Sequence, residues 1–249
     1  MLSKNDSPKI LALKENPKIL AILGMGRSGT TMLTRSLYKI GTWVGKKGAY
    51  NDNWEHYGFR GINDELMEKL FGAKMGVLPY GVIRELGKGE IPQRYYDSAD
   101  KICQEERIAC RENGFPYFVV KTPRSTILYD LWERNFDIVV GIVRRPQEVI
   151  NSYIYYKFVS VDNAHEVVMT YWKEYNKRLL KIMQASDKEK YLLDFHGLVD
   201  EQFSALADRL GFGRLHSEYD FGRRRNKDDG EINDKEAKEI YLALREYRI

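Results

Sequence analysis

The chain has 249 residues, of which 43% are hydrophobic and 31% are charged, and its formal net charge is +4. This length suits one large α/β domain or two small ones, and we expect a single domain, residues 1–249, with a sizeable core. The charge is too mild to argue for a nucleic-acid partner. Apolar runs fall short of the roughly 20 residues of a membrane span, and the N-terminus lacks the apolar region of a signal peptide. We expect a frayed leader before the first strand.

The two cysteines, Cys103 and Cys110, lie seven positions apart in a predicted helix. A helix separates such positions by roughly 10 Å, which is too far for a disulfide. No histidine near them completes a zinc site. We therefore expect two reduced cysteines and no zinc site, and reduced cysteines are typical of a cytoplasmic protein.

Four short runs rich in Val, Ile and Leu predict buried strands. They are Lys18–Leu23, Tyr117–Lys121, residues 137–143 and residues 190–195. The runs show little polar alternation, which indicates strands covered on both faces. Helical patterns between them predict a three-layer α/β/α fold, in which a parallel sheet has helices on both faces. A glycine-rich loop after the first strand makes this a fold of the P-loop type. Ligands then bind at the carboxyl ends of the strands.

The helices between the strands are marked by apolar spacing. One stripe begins after Asn163, a second ends at Gly211, and Pro146 suits the first turn of a third helix. Residues 72–116 fit the alternation less well, because glycines and prolines precede a helical stretch at about 98–113. We interpret this segment as an insertion over the sheet edge, either a lid that binds an acceptor or a structural excursion.

A glycine-rich loop follows the first strand and precedes a helix. It runs Gly24-Met25-Gly26-Arg27-Ser28-Gly29-Thr30-Thr31. Glycines let backbone N–H groups point at an anion, and the helix N-terminus adds a favourable partial charge. A nucleotide-hydrolysing P-loop has a lysine after its last glycine. Here Thr30 holds that place and Arg27 supplies the cation.

The R-S-G-T-T sequence after a buried strand resembles the 5′-phosphosulfate loop of sulfotransferases. These enzymes use 3′-phosphoadenosine-5′-phosphosulfate (PAPS), and the Golgi and many bacterial members carry R-S-G-T-T. The resemblance covers residues 18–212 with the motifs in order. It implies that Gly26, Arg27, Ser28, Gly29, Thr30 and Thr31 bind the donor, without a metal.

A second motif lies at the end of the third predicted strand. Arg144 ends that strand and Ser152 follows eight residues later on a helix, as in the sulfotransferase motif that binds the 3′-phosphate. Both side chains can face one dianion. Arg145 is the alternative cation.

The catalytic groups follow from two further matches. Lys121-Thr122-Pro123-Arg124 resembles the K-x-P-R of bacterial members, in which the lysine contacts the sulfuryl group and no histidine base is present. Trp54-Glu55, with Asn63 eight residues after the glutamate, resembles the pair that supplies a glutamate base. The resemblance implies that Glu55 is the general base, and the adjacent His56 is its rival.

Two later sites match less closely. Phe195 lies where relatives place an aromatic near adenine, although core packing explains it equally, and the acidic residue of that motif is missing. The basic run 223–227 lies where a late loop closes over the 3′-phosphate, and we assign Arg224 to this contact, with a solvated run as the alternative. The 17 tyrosines could line a sugar or aromatic acceptor pocket or belong to the core.

The sequence therefore predicts in-line transfer of a sulfuryl group from PAPS to an acceptor hydroxyl on a carbohydrate, a lipid or a small alcohol or phenol. The alternatives are a P-loop kinase or NTPase acting on a small molecule, and a non-catalytic module that binds an anion or a nucleic acid. The kinase would need a carboxylate for Mg²⁺, for which Asp194 is the weak candidate.

Overall fold

The computed structural model describes residues 7–46, 48–72, 90–158, 163–195, 200–213 and 230–249. Its sheet has four strands: β1 (Lys18–Leu23), β2 (Tyr117–Lys121), β3 (Ile138–Val143) and β4 (Glu189–Asp194). Their spatial order is β2-β1-β3-β4, and every neighbouring pair is parallel. The four predicted strands are confirmed, with their ends shifted by at most one residue.

Ten α-helices and one 3₁₀ turn at Glu133–Asn135 surround this sheet in the described part of the chain. The helices are α1 (Pro8–Glu15), α2 (Thr30–Lys39), α3 (Tyr57–Phe71), α4 (Gln93–Glu112), α5 (Arg124–Ile127), α6 (Tyr129–Trp132), α7 (Pro146–Tyr155), α8 (Ala164–Ala185), α9 (Asp200–Leu210) and α10 (Lys235–Arg245).

Side chains of β1 alternate between two buried clusters, which shows that the sheet is covered on both faces. Ile19, Ala21 and Leu23 belong to the cluster that contains residues of α3, α4, α7, α8 and α10. Leu20 and Ile22 belong to the cluster with residues of α1, α2 and α9. Successive strand residues point to opposite faces, so the predicted three-layer α/β/α arrangement is confirmed.

The expected frayed leader is wrong for the residues after Ser7. The Ser7 side chain accepts a hydrogen bond from Ile10 N at 3.3 Å, and Pro8 occupies the first helical turn of α1. These are the residue types that start helices. Ile10 is buried with α2 and α9, so tertiary packing holds a helix that is short for independent stability.

The predicted helices after the phosphate loop agree with the structure. Pro146 begins α7, and α9 ends at Leu210 before Gly211, whose φ is +96°. The helix of the insertion, α4, begins five residues earlier than expected, directly after Pro92. Cys103 and Cys110 are buried on α4, and burial raises the pKa of both thiols to about 12.

Candidate active site

The phosphate loop connects the carboxyl end of β1 to α2 and depends on two glycines. Gly24 and Gly29 have φ of +151° and +101°. A Cβ on Gly24 would lie 2.5 Å from the carbonyl oxygen of Ile142, and a Cβ on Gly29 would lie 2.3 Å from the Phe195 ring. Only glycine fits both the backbone conformation and the space. The loop is therefore held tightly against β3 and Phe195.

Ser28 carries a buried hydroxyl in this loop. It is 1% exposed, and its Oγ makes no hydrogen bond among the described residues. A buried hydroxyl without a partner is rare in proteins and calls for a ligand or an ordered water. This hydroxyl, next to glycine N–H groups at a helix N-terminus, fits an anionic group.

Arg27 has a left-handed backbone, with φ of +69°, and its side chain lies along α7. Its Nε donates to Ser152 Oγ at 3.0 Å, and its guanidinium lies 4.1 Å from the centre of the Tyr156 ring. The structure thus brings together two predicted donor-site residues, although the sequence had paired Ser152 with Arg144. Thr31 Oγ1 donates to the carbonyl of Asn53 at 3.2 Å, which joins α2 to the Glu55 loop.

Arg144 contacts the phosphate loop from the end of β3. Its NH1 group donates to the carbonyl of Arg27 at 3.1 Å, and its Nε donates to the fully buried Glu148 at 2.8 Å. Its guanidinium also lies 4.5 Å from the centre of the Phe195 ring. Arg145 instead donates to the carbonyl of Gly230. Of the two arginines, Arg144 is the one that these contacts place at the loop.

Glu55 and Lys121 meet beside the phosphate loop. Lys121 Nζ donates to Glu55 Oε1 at 3.3 Å, and the side chains are 2% and 14% exposed. Burial lowers the pKa of Lys121, while the Glu55 carboxylate opposes this shift. The turn before Glu55 is fixed by Asn51, whose side-chain oxygen accepts from Glu55 N at 3.0 Å, and by Trp54 with φ of +61°.

His56 faces away from this pair. Its Nδ1 accepts from Gly58 N at 3.3 Å as the N-cap of α3, and its Nε2 lies 3.2 Å from the Glu106 carboxylate. Trp43 donates to the other Glu106 oxygen at 3.0 Å. Both ring nitrogens are therefore engaged by the protein. Glu106 was missed by sequence reasoning, because no motif connects it to a residue 50 positions away.

Asn63 fixes α3 to the segment that follows β2. Its amide donates to Thr122 Oγ1 at 2.7 Å and to Ser125 Oγ at 3.0 Å. Its carbonyl oxygen accepts from Trp132 Nε1 at 2.8 Å, and the side chain is fully buried. Such a satisfied buried network rigidifies its surroundings. It joins the elements that carry Glu55 and Lys121.

A cavity of about 490 Å³ lies beside the phosphate loop and the Lys121–Glu55 pair. Its lining includes Gly26, Arg27, Thr30, Thr31, Glu55 and Lys121, which are six of the predicted site residues. Tyr153, Tyr171 and Tyr175 also line it, and the sequence analysis had not selected them. Tyr171 and Tyr175 lie four residues apart on α8 and therefore share one helix face. This spacing was the feature of the sequence from which their proximity could have been predicted.

Two predicted elements lie wholly or partly outside the described residues. Arg224 and the rest of the run 223–227 are outside them, and so is the stretch 73–89 of the insertion. The described part of the insertion packs α4 against α3, and no residue of 90–116 lines the 490 Å³ cavity. A lid over the acceptor stays a prediction.

The described ranges contain no group of three or more His, Cys, Asp or Glu side chains arranged to hold a metal ion. None of the helices in that part of the chain is long and apolar enough to span a membrane. Asp194 is buried, with its carboxylate accepting from the Tyr241 hydroxyl at 2.9 Å and lying 3.1 Å from Arg245 Nε. A Mg²⁺ role for Asp194 would require breaking these contacts.

Comparison with known proteins identifies a solved structure that has a similar fold. No protein-family model matches the chain, and no curated protein matches it significantly. Among solved structures, it is similar to the sulfotransferase domain of the olefin synthase from Synechococcus PCC 7002. The TM-score is 0.50 at 18% identity, over 94% of this chain and 85% of that one. The chain therefore shares the α/β fold of that sulfotransferase domain.

Proposed function

We propose that this protein transfers a sulfuryl group from PAPS to an acceptor hydroxyl, with Glu55 as the general base. The observation that carries the proposal is the convergence of Arg27, Lys121 and Glu55 on one cavity above a phosphate loop. The loop cation is an arginine in place of the lysine of nucleotide-hydrolysing enzymes. The resemblance of the R-S-G-T-T motif and the shared fold support the same reaction.

The donor site would be formed by three groups of residues. The backbone from Gly26 to Gly29 and the orphaned Ser28 hydroxyl would hold the 5′-phosphosulfate. Arg144 and Ser152 would bind the 3′-phosphate, and Phe195, already stacked on Arg144, would contact adenine. The Thr30 hydroxyl and the Thr31 backbone N–H would donate further hydrogen bonds.

PAPS supplies a sulfuryl group whose bond to the bridging phosphate oxygen breaks as the acceptor oxygen bonds to sulfur. Lys121 and Arg27 stabilise the negative charge that develops on the leaving side. Glu55 accepts the proton of the acceptor hydroxyl. The Lys121–Glu55 contact holds the carboxylate within the cavity before the acceptor arrives. Positioning and charge stabilisation supply most of the catalysis in the related transfer of phosphoryl groups.

Calorimetric titration tests the donor. We expect adenosine 3′,5′-bisphosphate to bind without metal and ADP with Mg²⁺ to bind far more weakly, because only the first carries a 3′-phosphate. Transfer of ³⁵S from labelled PAPS to an acceptor then tests the reaction. Preferential binding of ADP with Mg²⁺ would instead support the kinase or NTPase alternative, and no binding of either nucleotide would overturn the proposal.

A further inference from the structure

Three tyrosines from α7 and α8 form one wall of the 490 Å³ cavity. They are Tyr153, Tyr171 and Tyr175, and we call them the tyrosine wall. The Tyr153 hydroxyl lies against the phosphate loop, because a Cβ on Gly26 would be 3.1 Å from it. The tyrosine wall thus borders the place where donor and acceptor would meet.

The hydroxyls of the tyrosine wall make no hydrogen bonds to any residue in the described ranges. Tyr171 and Tyr175 are only 5% and 9% exposed. Buried tyrosine hydroxyls usually find a partner, since an unpaired polar group loses its water without compensation. Burial raises the pKa of Tyr171 and Tyr175 to about 12, so these phenols stay protonated at neutral pH. Each can both donate and accept a hydrogen bond.

The remaining charges of the cavity are unfavourable for an anionic acceptor. Arg27 and Lys121 would be used by the donor, which leaves two cations and four carboxylates in the lining. These are Arg60 and Arg124, and Glu55, Asp64, Glu65 and Glu68. Asp64 lies 3.3 Å from Arg60 and 2.9 Å from Arg124, so both cations already share one carboxylate partner. Glu65 pairs with Arg94 outside the lining at 2.8 Å, which leaves Glu55 and Glu68 as the further negative charges. Like charges facing each other at close range disfavour binding.

We propose, on the basis of the sulfotransferase function above, that the acceptor is a neutral molecule with several hydroxyl groups, as in an uncharged carbohydrate. Its non-reacting hydroxyls pair with the tyrosine wall, and its C–H face packs on the tyrosine rings. The reacting hydroxyl gives its proton to Glu55 while its oxygen bonds to sulfur, and the bond from sulfur to the bridging phosphate oxygen breaks, which releases adenosine 3′,5′-bisphosphate. A simple phenol or an alkyl alcohol has no further hydroxyls to pair with the tyrosine wall. A site built for such hydrogen bonds rejects molecules that leave its polar groups unpaired.

Saturation-transfer NMR on the full chain with adenosine 3′,5′-bisphosphate tests this inference. The probes are methyl β-glucoside and methyl β-galactoside, compared with methyl glucuronide, 4-nitrophenol and 1-octanol. We expect saturation transfer to the neutral glycosides and, with ³⁵S-labelled PAPS, label on them alone. Replacing each wall tyrosine by Phe removes only the hydroxyl, and we expect the glycoside KM to rise about tenfold while affinity for adenosine 3′,5′-bisphosphate is unchanged.

Tyr155→Phe is the matched control, because Tyr155 is on α7 but is exposed and does not line the cavity. If adenosine 3′,5′-bisphosphate binds but neither glycoside binds or is labelled, the acceptor inference is overturned and the sulfotransferase proposal stands. Unchanged glycoside KM in all three Phe variants overturns it as well. If the bisphosphate itself does not bind, both proposals fall.

Discussion

Lys121 Nζ lies 3.3 Å from Glu55 Oε1, although 66 positions separate the two residues in sequence. Lys121 ends β2, and Glu55 precedes α3, so their contact depends on how α3 packs beside the sheet. The pair combines a cation that can stabilise a developing negative charge with a carboxylate that can accept a proton. It lies in the cavity that also contains Arg27.

Glu55→Gln tests the general base. The amide keeps the size of the side chain but cannot accept the acceptor's proton, so we expect kcat to fall by about 10²–10⁴. Affinity for adenosine 3′,5′-bisphosphate, measured by calorimetry, should stay within about twofold, because this ligand needs no base.

His56→Asn is the matched comparison for this experiment, because asparagine can also cap α3. We expect a much smaller loss of kcat than in Glu55→Gln. If the two variants are equally stable to heat and kcat falls more in His56→Asn than in Glu55→Gln, the base is His56.

Lys121→Met tests the buried cation. Methionine fills similar space without charge, and the loss of one stabilising donor typically lowers kcat by about 10²–10³. Single-turnover transfer from ³⁵S-labelled PAPS measures this loss, and circular dichroism checks the fold. Lys69→Met, on α3 and not part of the cavity lining, is the control. Equal rates in the two variants would remove Lys121 from the mechanism.

Arg144 has a structural role that must be separated from ligand binding. Arg144→Ala removes a 2.8 Å partner from the fully buried Glu148, and breaking a buried pair typically costs about 3–5 kcal/mol. We therefore expect a lower melting temperature as well as weaker binding of adenosine 3′,5′-bisphosphate. The double variant Arg144→Met with Glu148→Gln should recover stability but not binding. Binding lost only in Arg145→Ala would identify that arginine as the phosphate contact.

The stability of the protein should depend on pH through Glu106. Burial alone would raise the pKa of Glu106, but hydrogen bonds from His56 and Trp43 outweigh it and hold the pKa below its usual 4.5. The unfolded chain therefore binds a proton first as pH falls, so this contribution is complete above pH 4.5 and is lost below it.

Urea denaturation of the protein and of Glu106→Gln measures this contribution. We expect the difference in unfolding free energy to be larger at pH 7 than at pH 4. Glu105→Gln, an exposed neighbour on α4, should show no such dependence. A constant difference for Glu106→Gln across this range would show that the pKa of Glu106 is not lowered in the folded protein.

Local patterns were sufficient for the strands and for the phosphate loop. Residues 18–31 carry the strand, the glycines and the helix start in one continuous segment, so neighbours in sequence are also neighbours in space. The helix that begins at Pro8 was missed, because a short helix without strong apolar spacing depends on the packing of Ile10 against α2 and α9.

The sequence by itself determined the α/β class, the parallel sheet, and the residue types at the phosphate loop, because these follow from periodicity and from backbone sterics. Only the tertiary structure decided which side chains meet. It paired Arg27 with Ser152, turned His56 toward Glu106, and brought three tyrosines from two helices to one cavity. Such contacts join residues far apart in the chain, and their geometry depends on how helices pack on the sheet, which no local pattern encodes.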